Sequence, residues 1–453
     1  MKKIAFSGAA GNGISPLEQI MSLKGYDVYG TDHSFDIGLD SDRKKALESV
    51  GITIVPQDGS VITSDTEYLC ISAAVKDSNP DVIAARKLGI PIKYRSDLLK
   101  EILEQYRYGI AVGGTAGKTT TTAMIGYVLN YYNKKPCMIN GGALCNLSSQ
   151  KGIPNFIYNE GDICVIEADE SDSSIKKYNP FVGVINNISL DHTSIDKLVE
   201  YFTTFASHSQ NIVINADCPY ASKIKHPSAK YFSIQDPSAD FYAYDITPVA
   251  DGIEYKLNDQ KYSLNLLGSF NVYNALSTIT TCSFFGLSAA DTAKALESFT
   301  GIKTRLEKMG TANNVIVYND FAHNPSKVRA SLSALKDYSG RIIAMYQPHT
   351  PFSAQNTGTE MAAAIARTLE PDDIMILQEI YELTANDVGI TSDNIVKQII
   401  QNGHNNAMFL PKKRDTRKFI KDNVRPGDRI IIMGAHDNSL ADFSRQILKD
   451  IAG

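Results

Sequence analysis

The stretch Gly113-Gly114-Thr115-Ala116-Gly117-Lys118-Thr119-Thr120 constrains this chain more than any other. It follows an apolar run, Tyr108 to Val112, that reads as a buried strand, and it leads into a helical run from Ala123 to Asn130. A strand, a glycine loop, Lys-Thr and a helix in that order make a phosphate cradle. Loop amides and the helix N-terminus face the anion, Lys118 reaches the terminal phosphates, and the Thr119 hydroxyl is placed for Mg2+. The strict pattern asks for Gly five residues before Gly117, where this chain has Val112, so the loop is a shorter variant. Lys118 is expected to be an exposed loop lysine that belongs to no core, so that its removal leaves the fold untouched.

Around this loop the chain alternates short apolar runs with helical stretches, which is the pattern of parallel α/β sheets. The expected architecture has three blocks: a Rossmann-like one over 1–106, a central phosphate-loop block with a mixed sheet over 107–302, and a second Rossmann-like one over 303–453. In the middle block, the alternation around Asp251-Gly252 and Asn258-Asp259 predicts antiparallel strands joined by tight turns. Helices are predicted from Pro325 to Tyr338 and from Gly358 to Leu369.

Lys+Arg of 45 against Asp+Glu of 50 gives a net charge of −5 with no basic stripe, which argues against nucleic acid as a partner. No run of 18 apolar residues marks a membrane span, and the N-terminus lacks a signal-peptide pattern, so a cytoplasmic chain is expected. The six cysteines form no C-x-x-C pair and read as reduced packing thiols.

Two further positions fall where a nucleotide-metal site needs them. Glu167 ends the apolar run Ile163 to Ile166, and His192 follows the strand-like run Phe181 to Ile188 after a short interval. Both would project from carboxyl ends of strands, beside the phosphate loop, Glu167 with hard oxygen for Mg2+ and His192 with nitrogen for a second ion. Read singly, Glu167 is part of an acidic turn and His192 a hydrogen-bonded spacer. At the N-terminus, Gly8, Gly11, Asn12, Gly13 and Ser15 form a second glycine loop, with Asp32 placed 24 residues after Gly8, as a ribose-binding acid would be. Taken alone, that loop also permits a dinucleotide-binding dehydrogenase, a reading that leaves the Lys118 loop unexplained.

From end to end the chain resembles the Mur ligases, ATP-dependent amino-acid-adding enzymes of peptidoglycan synthesis. The family's phosphate loop is similar to Gly114 to Thr119, its acidic strand end to Glu167-Ala168-Asp169-Glu170-Ser171-Asp172, and its N-x-x-x-D-H element to Asn187 through His192. The asparagines that flank adenine resemble Asn271 and Asn274, the junction arginine resembles Arg305, and Asp320-Phe321-Ala322-His323-Asn324-Pro325 resembles the segment with which the third domain touches ATP. Gly8 to Ser15, together with Ser72-Ala73-Ala74-Val75 and Asn79-Pro80, resembles the uridine-diphosphate elements of the subfamilies that add L-alanine to UDP-N-acetylmuramate or recycle murein peptides.

The resemblance implies a three-domain ligase that uses ATP and Mg2+. A UDP-N-acetylmuramate-type carboxylate is phosphorylated to an acyl phosphate, and an amino acid or a preformed peptide then attacks as the amine. It implies that Thr115, Gly117, Lys118, Thr119 and Thr120 bind the nucleotide with Asn271, Asn274, Arg305, Asp320 and His323. Thr119, Glu167 and His192 would hold metal; Gly8, Gly11, Asn12, Gly13, Ser15, Asp32, Ser72 and Ala73 would hold the UDP substrate. His349 or His323 would orient or deprotonate the amine. Some residues depart from the subfamily: Ala116 and Phe270 replace histidines, and Thr350 and Ser353 replace the arginines beside the incoming amino acid. Neither residue can make a bidentate carboxylate clamp, which leaves the acceptor open. A related protein that binds nucleotide without turnover is the alternative from another functional class.

Overall fold

The computed structural model describes residues 2–190, 193–381, 389, 391–434, 437 and 439–453. The first sheet contains β1 (Lys3–Ser7), β2 (Asp27–Thr31), β3 (Thr53–Ile54), β4 (Thr66–Ile71) and β5 (Ile92–Tyr94), in the order β3-β2-β1-β4-β5. All its pairings are parallel, so the chain reverses its winding at β1 and β4. The crevice at such a switch point, at the carboxyl ends of the strands, is where doubly wound sheets bind ligands. Ile4 and Phe6 of β1 face one core while Ala5 faces another, which is why β1 reads as an unbroken apolar run rather than an alternating one.

The second sheet holds β6 (Tyr108–Gly113), β7 (Cys137–Ile139), β8 (Phe156–Ile157), β9 (Ile163–Glu167), β10 (Val182–Ile185), β11 (Asn211–Asn215), β12 (Ala229–Ser233), β13 (Phe241–Val249), β14 (Gly252–Leu257) and β15 (Gln260–Leu264). Its order is β15-β14-β13-β12-β11-β10-β6-β9-β7-β8, which puts β6 between β10 and β9, both parallel to it. Asn258 and Asp259 both have positive φ, 52° and 62°, and close a two-residue hairpin of the type expected between β14 and β15. The third sheet contains β16 (Glu307–Ala312), β17 (Val315–Asp320), β18 (Ile342–Gln347), β19 (Ile374–Leu377), β20 (Ala407–Phe409) and β21 (Arg429–Gly434), in the order β16-β17-β21-β18-β19-β20. Only β16 is antiparallel to its neighbour. The expected α/β architecture with parallel-rich sheets is borne out.

By chain contacts, the protein divides into two compact units. The first contains residues 1–246, 254–265 and 270–300, and the second 247–253, 266–269 and 301–453. Within the first unit the two sheets are locked together. Gln19 Nε2, on helix Ser15–Leu23, donates to the Ile153 carbonyl (3.2 Å) and Asn155 Oδ1 (3.0 Å), and Gln19 Oε1 accepts from the Ile153 amide (2.7 Å). Gln19 and Asn155 are buried, so each bond is made away from competing water. In the second unit the hairpin tip is held by Tyr338 Oη on the Gly252 carbonyl and Lys308 on Asp251, at 2.8 and 2.7 Å.

Five of the six cysteines are buried and all six are free. Among the described residues no helix is long and apolar enough to cross a membrane. The helix expected from Gly358 starts earlier, at Pro351, and runs to Thr368 with Thr350 as its N-cap. Thr350, whose side chain accepts from the Ser353 amide, and Pro351 in the first turn are a strong start signal.

Glu18 is fully buried beneath the first glycine loop, with no hydrogen-bond partner for either carboxylate oxygen among the described residues. Burial pushes its carboxyl well above the ordinary range; Arg43 pulls it back and Asp32 pushes it further. The folded chain therefore keeps a proton that the unfolded chain releases above about pH 4.5, so this group's contribution to stability is lost as pH rises. Glu18→Gln should accordingly gain on the parent between pH 5 and 7, by up to about 1.4 kcal/mol per pH unit, in urea unfolding. A difference that does not change with pH would mean Glu18 is ionised in the fold.

Candidate active site

The phosphate loop leaves β6 at Gly113 and enters helix Lys118–Tyr131 through Gly117. Gly117 has φ +82°, and a Cβ there would lie 2.5 Å from Asn274 Oδ1, so only glycine allows both the backbone turn and the close approach. Asn187 fastens the loop from the end of β10. Its Oδ1 accepts from the Thr115 hydroxyl (2.8 Å) and the Ala116 amide (2.9 Å), and its Nδ2 donates to the Ala116 carbonyl (3.0 Å). Thr119 and Thr120 follow in the first turn of the helix, half-buried.

Beneath the loop lies a buried polar network. Asn186 Nδ2 donates to Thr121 Oγ1, Thr121 Oγ1 donates to Asn274 Oδ1, and Asn274 Nδ2 donates to Asn271 Oδ1, at 2.9, 3.2 and 2.9 Å. Ser277 closes it on Asn186 Oδ1 at 2.8 Å. Asn271 and Asn274 were expected beside an adenine; Asn274 is a support of the phosphate loop in this structure. Asn186 and Thr121 were not anticipated from the sequence, although Asn186 adjoins Asn187 and Thr121 continues the threonine run.

Lys118 is not an exposed loop lysine. Its side chain is 18% exposed, and its ammonium donates to the Gly114 carbonyl (2.9 Å) and to both oxygens of Glu170 (2.9 and 2.8 Å), a carboxylate only 2% exposed. Burial works against the charge, but Glu170, Asp169 and Glu167 outweigh it and raise the Lys118 pKa. The expected freedom of Lys118 from the fold is overturned, because the loop places its ammonium against a buried acid.

Glu167 ends β9 on the other side of β6, and its Oε1 accepts from the Gly141 amide at 2.7 Å. A Cβ at Gly141 would come within 3.1 and 3.2 Å of the Glu167 oxygens, so glycine keeps the space beside the carboxylate open. An open carboxylate and the Thr119 hydroxyl offer the hard oxygens that Mg2+ takes. Among the described residues no group of three or more His, Cys, Asp and Glu side chains could hold a metal ion. His192, the third expected ligand, lies outside the described residues.

The first glycine loop occupies the switch point of its sheet. Gly8 has φ +90°, and Gly8 and Ala9 donate their amides to the Thr31 carbonyl at 2.9 and 3.0 Å. Asp32 Oδ2 accepts from the Ala10 amide (2.9 Å) while its Oδ1 accepts from the Ser34 amide (2.9 Å), so Asp32 braces the loop from β2. Ser72, at the end of β4, lies across from Gly8, whose Cβ would be 3.9 Å from Ser72 Oγ; Ala73 beside it is exposed. Gly11 and Asn12 are exposed, and Gly13 lies against Arg95, a residue not anticipated from the sequence. Ser15 is fully buried, its hydroxyl accepting from Arg43 (2.9 Å) and Asn155 (3.0 Å), which makes it an anchor rather than an accessible group.

In the second unit, Arg305 stacks on Phe321 with its guanidinium carbon 4.8 Å from the ring centroid. It sits between Thr304 and Leu306, which hold φ of 61° and 44°; for a branched residue such as Thr304 this conformation is a strained one. Asp320 is buried at the end of β17, accepts from the Ser331 hydroxyl, and has its carboxyl pushed up by burial. His323 Nδ1 lies 2.9 Å from the Phe321 carbonyl, which only accepts, so the neutral ring carries its proton there and exposes a lone pair at Nε2. Burial lowers the His323 pKa to about 4. His349 follows β18 with its ring centroid 6.1 Å from that of His323. Thr350 accepts from the Ser353 amide at 3.1 Å as the helix cap.

Three family models match the chain in succession: "Mur ligase family, catalytic domain" over residues 3–107, "Mur ligase middle domain" over 112–282 and "Mur ligase, glutamate ligase domain" over 304–436. A UDP-N-acetylmuramate–L-alanine ligase of Sulfurihydrogenibium sp. (strain YO3AOP1) is 32% identical over 452 residues, 96% of this chain and 95% of the relative. One from Streptomyces avermitilis is 31% identical, with coverage of 96% and 95%. Among solved structures, the UDP-N-acetylmuramate-alanine ligase of Thermotoga maritima superposes with a TM-score of 0.82 at 25% identity, over 99% of this chain and 98% of that one. A murein peptide ligase of Psychrobacter arcticus 273-4 shares the fold, with a TM-score of 0.68 at 23% identity and coverage of 100% and 99%.

Lys118→Ala leaves Glu170 buried without its partner, which should lower unfolding stability by about 3 kcal/mol. Adding Glu170→Gln should restore most of the urea midpoint, because a neutral amide needs no countercharge. A single variant as stable as the parent would show that the pair contributes nothing. For His323, the ring resonances in NMR should not titrate between pH 5.5 and 8; a midpoint near 6.5 would mean the ring is hydrated.

Proposed function

The chain belongs to the Mur ligase family and is an ATP-dependent ligase of peptidoglycan precursors, and we propose that it joins the amino group of an amino acid to the carboxylate of UDP-N-acetylmuramate, using Mg2+. The observation that carries this reading is the pair of glycine loops in the first unit, each at the carboxyl end of a central strand and each fastened by a side chain from a neighbouring strand end, Asp32 for one and Asn187 for the other. Two anion cradles suit a reaction with two phosphorylated substrates.

Each residue then has a task. The amides of Gly114, Gly117 and Lys118 receive the ATP phosphates, those of Thr115 and Ala116 being held by Asn187, and the Lys118 ammonium, held charged by its acidic neighbours, neutralises charge on the transferred phosphoryl group. Thr119 and Glu167 hold Mg2+, which supplies charge neutralisation when bound, and His192 is the proposed ligand of a second ion. Asn12 and Gly13 offer their amides to the diphosphate of the sugar nucleotide and Gly8 and Gly11, whose amides close the turn, leave room for it, with Asp32 and Ser15 bracing the loop and Ser72 and Ala73 across the crevice. In the second unit Arg305, Asp320 and His323 serve the nucleotide and His349 the incoming amine. The carboxylate becomes an acyl phosphate, and amine attack on its carbonyl releases phosphate. Six free thiols agree with work in the reducing cytoplasm.

The acceptor has a second reading. Thr350 is engaged as a helix cap and Ser353 supplies the amide it binds, so neither offers the charged fork that would clamp a small amino acid's carboxylate. A peptide acceptor, or an amino acid held by another cation, fits that local chemistry.

Mass spectrometry of products from ATP, UDP-N-acetylmuramate and a panel of L-alanine, L-serine, glycine and L-alanyl peptides tests both readings. A product larger by one amino acid supports the first and a peptide adduct the second; absence of any product with phosphate still released would reject both. Gly11→Val should weaken UDP-N-acetylmuramate at least tenfold in calorimetry with ATP affinity unchanged, since a Cβ at Gly11 already comes within 3.0 Å of the Gly8 carbonyl. Equal loss of both ligands would reject the assignment of this loop.

A further inference from the structure

Arg95 lies between the two glycine loops of the first unit. It is the first residue of helix Arg95–Leu103, which follows β5 directly. Its side chain runs along the N-terminal loop, where a Cβ at Gly13 would come within 3.0 Å of Arg95 Cδ and within 3.3 and 3.4 Å of Nη1 and Nε. Its Nη2 lies 3.9 Å from Asp169 Oδ2, and Asp169 Oδ1 lies 3.9 Å from Lys118 Nζ. Gly13, Arg95, Asp169 and Lys118 therefore follow one another in series from the first loop to the second.

The guanidinium is poorly used by the fold around it. At 3.9 Å the Asp169 contact exceeds hydrogen-bond length, and no hydrogen bond from the five donors of Arg95 is found among the described residues. A cation in the first turn also works against the helix dipole. The side chain is 21% exposed, so its charge has given up much of its water without gaining a close partner. A planar fork of unused donors, lying on a glycine loop, is suited to a phosphate or carboxylate.

We infer that Arg95 is a substrate-binding residue that grips an oxyanion of the nucleotide-sugar substrate beside the Gly8 to Ser15 loop, an inference that rests on the function proposed above. The oxyanion is either the diphosphate or the carboxylate that becomes activated. Both are held by the same bidentate chemistry, and either contact is lost when the fork is removed.

Calorimetry of the parent and Arg95→Met with UDP, UDP-N-acetylglucosamine, UDP-N-acetylmuramate and ATP separates the possibilities, because UDP-N-acetylglucosamine carries the diphosphate without the carboxylate. The expected result is at least a tenfold weaker UDP-N-acetylmuramate complex, with ATP affinity within about twofold and an unchanged melting temperature. Weakening of all three uridine ligands supports a contact to the diphosphate, and weakening of UDP-N-acetylmuramate alone supports a contact to the carboxylate. Parental affinity in Arg95→Met overturns the inference, as does a parallel loss of ATP binding and melting temperature, which would mark a structural residue. Should Arg95→Met not fold, Arg95→Gln carries the same comparison. A parent that binds none of the uridine ligands would overturn the functional reading itself and Arg95's part with it, whereas parental binding retained in the variant overturns only the latter.

Discussion

The contact between Lys118 and Glu170 governs the centre of the first unit. An ammonium and a carboxylate that are both mostly removed from water are stable only together, since either alone would carry an uncompensated charge. Their pairing fixes the lysine against the Gly114 carbonyl and so sets the shape of the loop before any phosphate arrives. It also means that any anion brought to this lysine would meet a side chain that already has a partner. Binding there would exchange one anion for another, on a lysine whose pKa the acids at 167, 169 and 170 raise.

The loop can hold this shape because its supports are rigid. Asn186, Thr121, Asn274 and Ser277 form a satisfied polar network under it, and Gly126 lets the following helix approach β7 so closely that a Cβ there would meet Met138 Sδ at 2.4 Å. The Gln19 and Asn155 bonds extend the same rigidity to the neighbouring sheet. The two cradles thus belong to one compact unit in which a small displacement at either is resisted by buried, hydrogen-bonded side chains.

The sequence was most readable where chemistry and local geometry demand the same residues. Gly117 needs positive φ and a missing Cβ, and Asn258-Asp259 needs two positive φ values, so loop and hairpin stand out in any reading of the chain. The parallel sheets were legible from apolar runs bounded by turns, and the family from motifs whose order is preserved. Tertiary partners were not legible. Nothing in the residues around Lys118 says that Glu170 is buried against it, nothing around Ser15 says that Arg43 and Asn155 converge on its hydroxyl, and Arg95 lies in an unremarkable helix start. Thr350 was legible in another sense: Thr-Pro before a helical stretch is a start signal, whatever side chain the position would carry for binding.

In the second unit, burial and a backbone hydrogen bond limit what His323 can do as a base. A base that removes a proton from an ammonium works best when its own pKa approaches that of the medium. His323, lowered to about 4 by burial, is a poor proton acceptor at neutral pH, and its Nδ1 proton is committed to the Phe321 carbonyl. What it retains is an oriented Nε2 lone pair, suited to accepting a hydrogen bond and thereby orienting a donor. The strained turn at Thr304 and Leu306 brings Arg305 over Phe321, and Phe321 in turn packs edge-on against His323, with ring centroids 5.2 Å apart. Arg305, Phe321 and His323 therefore follow one another in contact beside that turn. His323 is therefore suited to holding a hydrogen-bond donor in place rather than to taking up a proton.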